Sequence, residues 1–140
     1  MSLLSPNRWK YRKQMLGRMG GISTSGTTVA FWQFGLKAMW NVFLTSRQIE
    51  SARKVISRHI KKIGKMWIRV FPDVPITKKP LEVKMGAGKW NVSHYAARIK
   101  RWKIIFEIVG VDRTTATEIF KQAWYKLPFP VKTVEKGEIN

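Results

Sequence analysis

The chain has 140 residues, 44% of them hydrophobic, and no cysteine. This fits one domain with a modest core, excludes disulfides, thiolate metal sites and cysteine nucleophiles, and leaves no apolar run near the roughly 20 residues of a membrane span. With 27 Lys and Arg against 8 Asp and Glu, the formal charge is +19, which favours a polyanionic partner, nucleic acid first and an anionic membrane surface second.

The charge is uneven from the start. No acid precedes Glu50, while Arg8, Lys10, Arg12, Lys13, Arg18, Lys37 and Arg47 do. Residues 1–26 read as an extended basic arm bounded by turn formers. Trp9 and Tyr11 alternate there with Arg8, Lys10 and Arg12, which on a strand separates aromatics from charges. This pattern suits nucleic-acid contact. Thr27–Gly35 reads as a β-branched and aromatic strand. The next stretch, "LKAMWNVFL", fits either a strand or a short helix.

The clearest helix spans about 45–63. Thr45 and Gln48 form a capping-box signature. Ile49, Ala52, Ile56, Ile60 and Ile63 recur on one helical face, and Gly64 suits the C′ position. The other faces carry Arg47, Arg53, Lys54, Arg58, Lys61 and Lys62 with Glu50 as the only acid. An ordinary solvated face mixes signs to form stabilising pairs, so this one is read as contacting phosphates. Lys65–Phe71 reads as a strand stopped by Pro72, and "VPITKKP" as an exposed connection or edge. Leu81–Met85 is expected to be extended. Tyr95–Lys100 and Lys103–Val109 form a hairpin candidate. Asp112 is an N-cap candidate for a second helix, about 113–127, with Ala116, Ile119, Phe120, Ala123 and Leu127 as its stripe. Pro128 and Pro130 end it, "VKTV" suggests a last strand, and 135–140 reads as a frayed polar tail. The expected fold class is α+β, with two packed helices on a mainly antiparallel or mixed sheet.

No catalytic constellation emerges. His59 and His94 have no partner that sequence assigns, and the carboxylates are scattered. The segment "KMGAGKW", Lys84–Trp90, resembles a nucleotide loop but lacks its chemistry. Val83 stands where a Walker loop needs its first glycine, and Trp90 where it needs Ser or Thr. Asn91 breaks the dinucleotide fingerprint. Gly86 and Gly88 still permit positive φ or close backbone approach, so the loop is equally readable as a hairpin turn or an anion cradle. No metal site or cofactor is expected.

"LSPNRWKYRKQMLGRMGGI", "FGLKA", "LTSRQIESARKVISR", "GKMWIRVFPDVPITKKPLEVKMGAGK", "IFEIVGV" and "KLPFPVKT" occur in one order. Together they resemble the large-subunit ribosomal protein family numbered sixteen in bacteria, over roughly residues 3–134. The resemblance implies a non-enzymatic α+β protein that binds large-subunit rRNA, lies beside neighbouring ribosomal proteins and helps to position aminoacyl-site tRNA near the peptidyl transferase centre. It implies a single 27–134 domain with a protruding loop, 84–91, whose tRNA-facing residues are Lys84, Met85, Gly86, Gly88 and Lys89. It assigns Arg8, Lys10, Arg12, Lys13 and Arg18 of the arm to rRNA. A homo-oligomer is not expected.

This loop departs from the family pattern. Lys84 stands where bacterial members carry arginine, which removes the planar bidentate fork and the substrate of a known hydroxylation. Ala87 replaces a residue that is often basic, and Trp90 one that is usually glycine. Trp32, Trp40, Trp102 and Trp124 are also unfamiliar at their places. Such drift suggests a mitochondrial member, and family register beginning almost at Met1 suggests synthesis inside the organelle. A basic protein on an anionic membrane surface is the competing reading, and a nucleotide enzyme a third.

Overall fold

The computed structural model describes residues 4–138. Residues 4–33 contain one isolated parallel bridge, Ile22 to Arg101, and neither strand nor helix. Then follow β1 (Phe34–Ala38), β2 (Val42–Thr45), α1 (Ser46–Ile60), β3 (Lys65–Ile68), β4 (Val74–Thr77), β5 (Val92–Ile99), β6 (Ile104–Val109), α2 (Arg113–Trp124) and β7 (Val131–Glu135). The α+β class holds. The strands form two sheets rather than one, ordered β3-β6-β1-β7 and β2-β5-β4, and every strand pair is antiparallel.

The segment expected as a first strand at 27–35 is extended only from Phe34. The amides of Ala30, Phe31 and Trp32 donate to the Glu107 carboxylate instead of to a neighbouring strand. The stretch with two readings, "LKAMWNVFL", is extended at both ends, in β1 and β2.

The hairpin expected at 95–109 does not form. Its arms, β5 and β6, lie in different sheets. Trp102, with φ of 76°, donates its amide to Ala38 O at 2.6 Å, and Ala38 N donates back to Lys103 O at 2.9 Å. These bonds turn the chain so that β6 pairs with β1, while β5 continues beside β2 and β4. Val74–Thr77 is an edge strand, as one of its two readings had it, but Val74 and Pro75 are buried. Leu81–Met85 is not extended: Val83 N closes a turn onto Pro80 O at 3.4 Å.

Helix α1 begins as its sequence predicts. The Thr45 side chain accepts from Gln48 N, and the Gln48 side chain accepts from Thr45 N. Ile49, Ala52, Ile56 and Ile60 are buried, one face at helical spacing. The helix closes at Ile60, earlier than expected, so Ile63 is 68% exposed. Gly64 is not in the left-handed region. It is needed for space, because a Cβ there would overlap the carbonyl oxygen of Val109.

Helix α2 buries Ala116, Ile119, Phe120 and Ala123, and Leu127 follows them into the core from the turn after it. Both helices pack against each other and share one core with Leu36, Leu44, Ile99, Phe106 and Ile108. Asp112 has the extended N-cap backbone, but its side chain does not cap the helix. Its carboxylate accepts from the hydroxyl of Thr114. That bond and a similar one from Thr115 lower its pKa to about 2.

Glu135, expected to begin the tail, ends β7, and Lys136 N donates to Gln33 O at 2.8 Å. Residues 1–3 of the expected arm and 139–140 of the expected tail lie outside the described residues.

Candidate nucleic-acid interface

The sequence-predicted cations fall on two surfaces. Arg8, Lys10, Arg12, Lys13 and Arg18 are exposed along the irregular N-terminal segment. Arg47, Lys54, Arg58, Lys61 and Lys62 are exposed on α1 or just past its end. Arg53 is half-buried and engaged, its guanidinium bonding Glu50 at 2.6 and 2.8 Å. That bond is the main reason why the Glu50 carboxyl is held below its ordinary pKa. Among the described residues only Arg53, Arg69 and Arg113 form ion pairs. The other cations carry charge without a carboxylate partner, which is costly to the isolated fold and favourable beside phosphates.

The loop after β4 lies against the N-terminal segment. Lys13 Nζ donates to Lys89 O at 2.5 Å, and Lys89 Nζ donates back to Gln14 O. Arg98 on β5 holds the same segment through Leu16 O at 2.5 Å. Trp9 stacks on Tyr95, with ring centroids 5.1 Å apart and planes 13° from parallel. Tyr11 is not packed in this way. It is 69% exposed, with the Lys10 ammonium 5.7 Å from its ring centre.

Lys84, Met85, Gly86 and Gly88 are exposed, and Lys89 is half-buried by its bonds to the segment. Gly86, Ala87 and Gly88 have φ of 124°, 57° and 82°. A Cβ on either glycine would meet nothing within 4 Å, so both are required for backbone conformation rather than for space. Ala87 adopts the same region at a cost of roughly 1–2 kcal/mol. The loop is therefore curled, with a cation at each end: Lys84 is exposed, and Lys89 is fixed to the segment.

Sequence reasoning missed the group that roots the N-terminal segment. Glu107 is fully buried in β6. One carboxylate oxygen accepts from Ala30 N at 3.1 Å and from the Arg69 guanidinium. The other accepts from Phe31 N at 2.8 Å and Trp32 N at 3.0 Å. Burial alone would raise its pKa. The Ala30 amide, Arg69 and the Phe31 and Trp32 amides outweigh burial and hold it below the ordinary value. The available signal was one acid inside the apolar run "IIFEIVG", because a buried charge must find partners.

Lys37, one of the early cations, is buried in β1 opposite Lys132. Burial first, then Lys132, lowers its pKa, and Glu138 partly opposes them. Among the described residues no cluster of His, Asp or Glu could hold a metal ion.

The chain is thus a two-sheet α+β domain with an excess of unpaired cations and a curled basic loop. The family model described as ribosomal protein L16p/L10e matches residues 6–134, and the chain belongs to that family. It is 55% identical over 125 residues to the large ribosomal subunit protein uL16 of Xanthomonas oryzae pv. oryzae strain PXO99A, covering 89% of this chain and 91% of that protein. The uL16 protein of Xanthomonas euvesicatoria pv. vesicatoria strain 85-10 matches over the same shares at the same identity. These relatives carry the names of ribosomal proteins, not of enzymes, and the chain is not an enzyme.

Proposed function

We propose that the chain is a component of the large ribosomal subunit that binds its rRNA and presents the 84–91 loop to aminoacyl-site tRNA. Family membership supports the ribosomal assignment. The observation that carries the RNA reading is the α1 surface, where Arg47, Lys54, Arg58, Lys61 and Lys62 are exposed and none forms an ion pair among the described residues. Together with Arg53, these cations and Arg8, Lys10, Arg12, Lys13 and Arg18 neutralise phosphates and fix the orientation of the domain on folded RNA. The loop then works by position. Lys89 is fastened to the basic segment, so rRNA holding that segment also fixes the loop. Lys84, Met85, Gly86 and Gly88 remain free to meet the tRNA. The protein joins the particle as one copy beside other ribosomal proteins.

The membrane-surface reading is not favoured. It requires an apolar helix face available for insertion, and that face of α1 is buried in the core. No helix among the described residues is long and apolar enough to cross a membrane. The mitochondrial placement rests on sequence drift alone, and the bacterial relatives lend it no support. Enrichment in purified mitochondria would uphold it.

Replacing Lys84 and Lys89 with Ala tests the loop assignment. Aminoacyl-site tRNA binding should weaken several-fold while incorporation into the subunit stays near normal. Lost incorporation with normal tRNA binding in the remaining particles would reverse the assignment.

A further inference from the structure

The edges of the two sheets differ in what they expose. β2, β4 and β7 carry no exposed large apolar side chain, whereas β3, an outer strand of the four-stranded sheet, exposes Trp67. The outer side of β3 is also unpaired. Arg69 N donates to Ile105 O at 2.8 Å, and the register sets Trp67 opposite Glu107 and Lys65 opposite Val109. An antiparallel ladder uses both main-chain groups of every second residue, so those of Met66 and Ile68 face away from β6. They have no other backbone partner among the described residues. Such an edge is a template for a further strand.

Trp67 belongs to an aromatic cluster. Its ring centroid lies 5.6 Å from that of Phe31 and 6.5 Å from that of Trp32. Phe31 and Trp67 are 55% and 50% exposed, and the Arg69 guanidinium lies 5.0 Å from the Phe31 ring centre. Trp32 Nε1 is buried and has no hydrogen-bond partner, the one such side-chain atom among the described residues. A buried donor without an acceptor is destabilising and rare in a native fold. Aromatics and arginine are enriched where proteins meet. The charges also favour a protein over RNA at this edge. Arg69 is already neutralised by Glu107, which leaves Lys65 as the cation of β3 without an ion pair.

We propose that β3 receives an extended segment of another large-subunit protein as a fifth strand of its sheet. The main chain of that segment pairs with Met66 and Ile68. An apolar side chain rests on Phe31 and Trp67, and a carboxylate faces Lys65. As the exposed Trp67 ring turns aside, a carbonyl oxygen accepts from Trp32 Nε1. This surface rests on the ribosomal reading and specifies where one protein neighbour docks.

In the test, a photoreactive benzoylphenylalanine replaces Phe31 in the full chain, keeping an aromatic ring there, and intact large subunits are irradiated. The label should cross-link to one other protein, within an extended segment that carries an acidic residue. Met66→Pro removes an N–H that β6 does not use, a change an edge strand tolerates, and should lower the yield about fivefold. Trp32→Phe removes the indole N–H but keeps an aromatic ring, and should also cost about fivefold. Trp67→Ala should cost about tenfold. Each variant should co-sediment with the subunit as the wild type does, which shows that it folds and assembles. A cross-link to rRNA or to a second copy of the chain, no cross-link in subunits that contain it, or yields unchanged by all three variants would overturn the docking surface and leave the ribosomal reading standing. A labelled chain absent from the subunits would overturn that reading and this one together.

Discussion

Glu107→Gln is the sharpest test of how the N-terminal segment is held. The native carboxylate receives four donors, two on each oxygen. Glutamine offers one oxygen and one NH2 group. In either orientation two inward donors then face another donor, and Arg69, only 18% exposed at its side chain, loses its counter-charge. A lost charged hydrogen bond or an orphaned donor costs about 1–3 kcal/mol each. The effects overlap on one group, so the expected total is about 3–5 kcal/mol.

The pH dependence has a definite sign. The folded Glu107 carboxyl titrates below its ordinary value, so its contribution is complete above the unfolded value of about 4.3. It is lost as pH falls through the folded value. Urea unfolding followed by tryptophan fluorescence should show a constant gap between wild type and variant from about pH 8 to 5, narrowing below about pH 4. Hydrogen exchange at Ala30, Phe31 and Trp32 should accelerate in the variant. A loss under about 0.5 kcal/mol at pH 7, or a gap that widens in acid, would mean that Glu107 does not hold the segment through its charge.

Two further outcomes follow from packing and charge. Gly64→Ala drives a methyl group into the Val109 carbonyl and should lower stability by about 3 kcal/mol in the same urea assay; an effect near zero would mean that the turn after α1 relaxes freely. Lys37→Met keeps the apolar stem and removes a buried charge facing Lys132. Because the folded ammonium pKa is lowered, the protonated form opposes folding below that value. The variant should gain about 1 kcal/mol at pH 7, and the gain should shrink as pH rises towards 10. A gain independent of pH would assign the effect to packing alone.

Periodicity made both helices legible. Thr45 and Gln48 marked the start of α1, and Ile49, Ala52, Ile56 and Ile60 marked its buried face. The strand β6 was legible as an apolar run, and β7 as the short stretch "VKTV". Partnering between strands was not, because it depends on non-local bonds. Trp102 and Ala38, far apart in sequence, decide that β5 and β6 enter separate sheets. Glu107 likewise diverts residues 30–32 from a strand that local propensity favours. At the candidate interface the cations were legible from composition and from family resemblance. The reciprocal bonds between Lys13, Gln14 and Lys89 were not, since no local pattern links residues 75 and 76 apart in the chain.

In the proposed function, unpaired cations hold the chain on ribosomal RNA within the large subunit. Sedimentation of a gently prepared native extract through sucrose at low and high salt tests it most directly. Co-sedimentation with the large subunit is expected at low salt and release as salt rises, with log affinity for its RNA falling about 0.9 per duplex phosphate contacted. Free protein at low salt, or particle binding indifferent to salt, would contradict it.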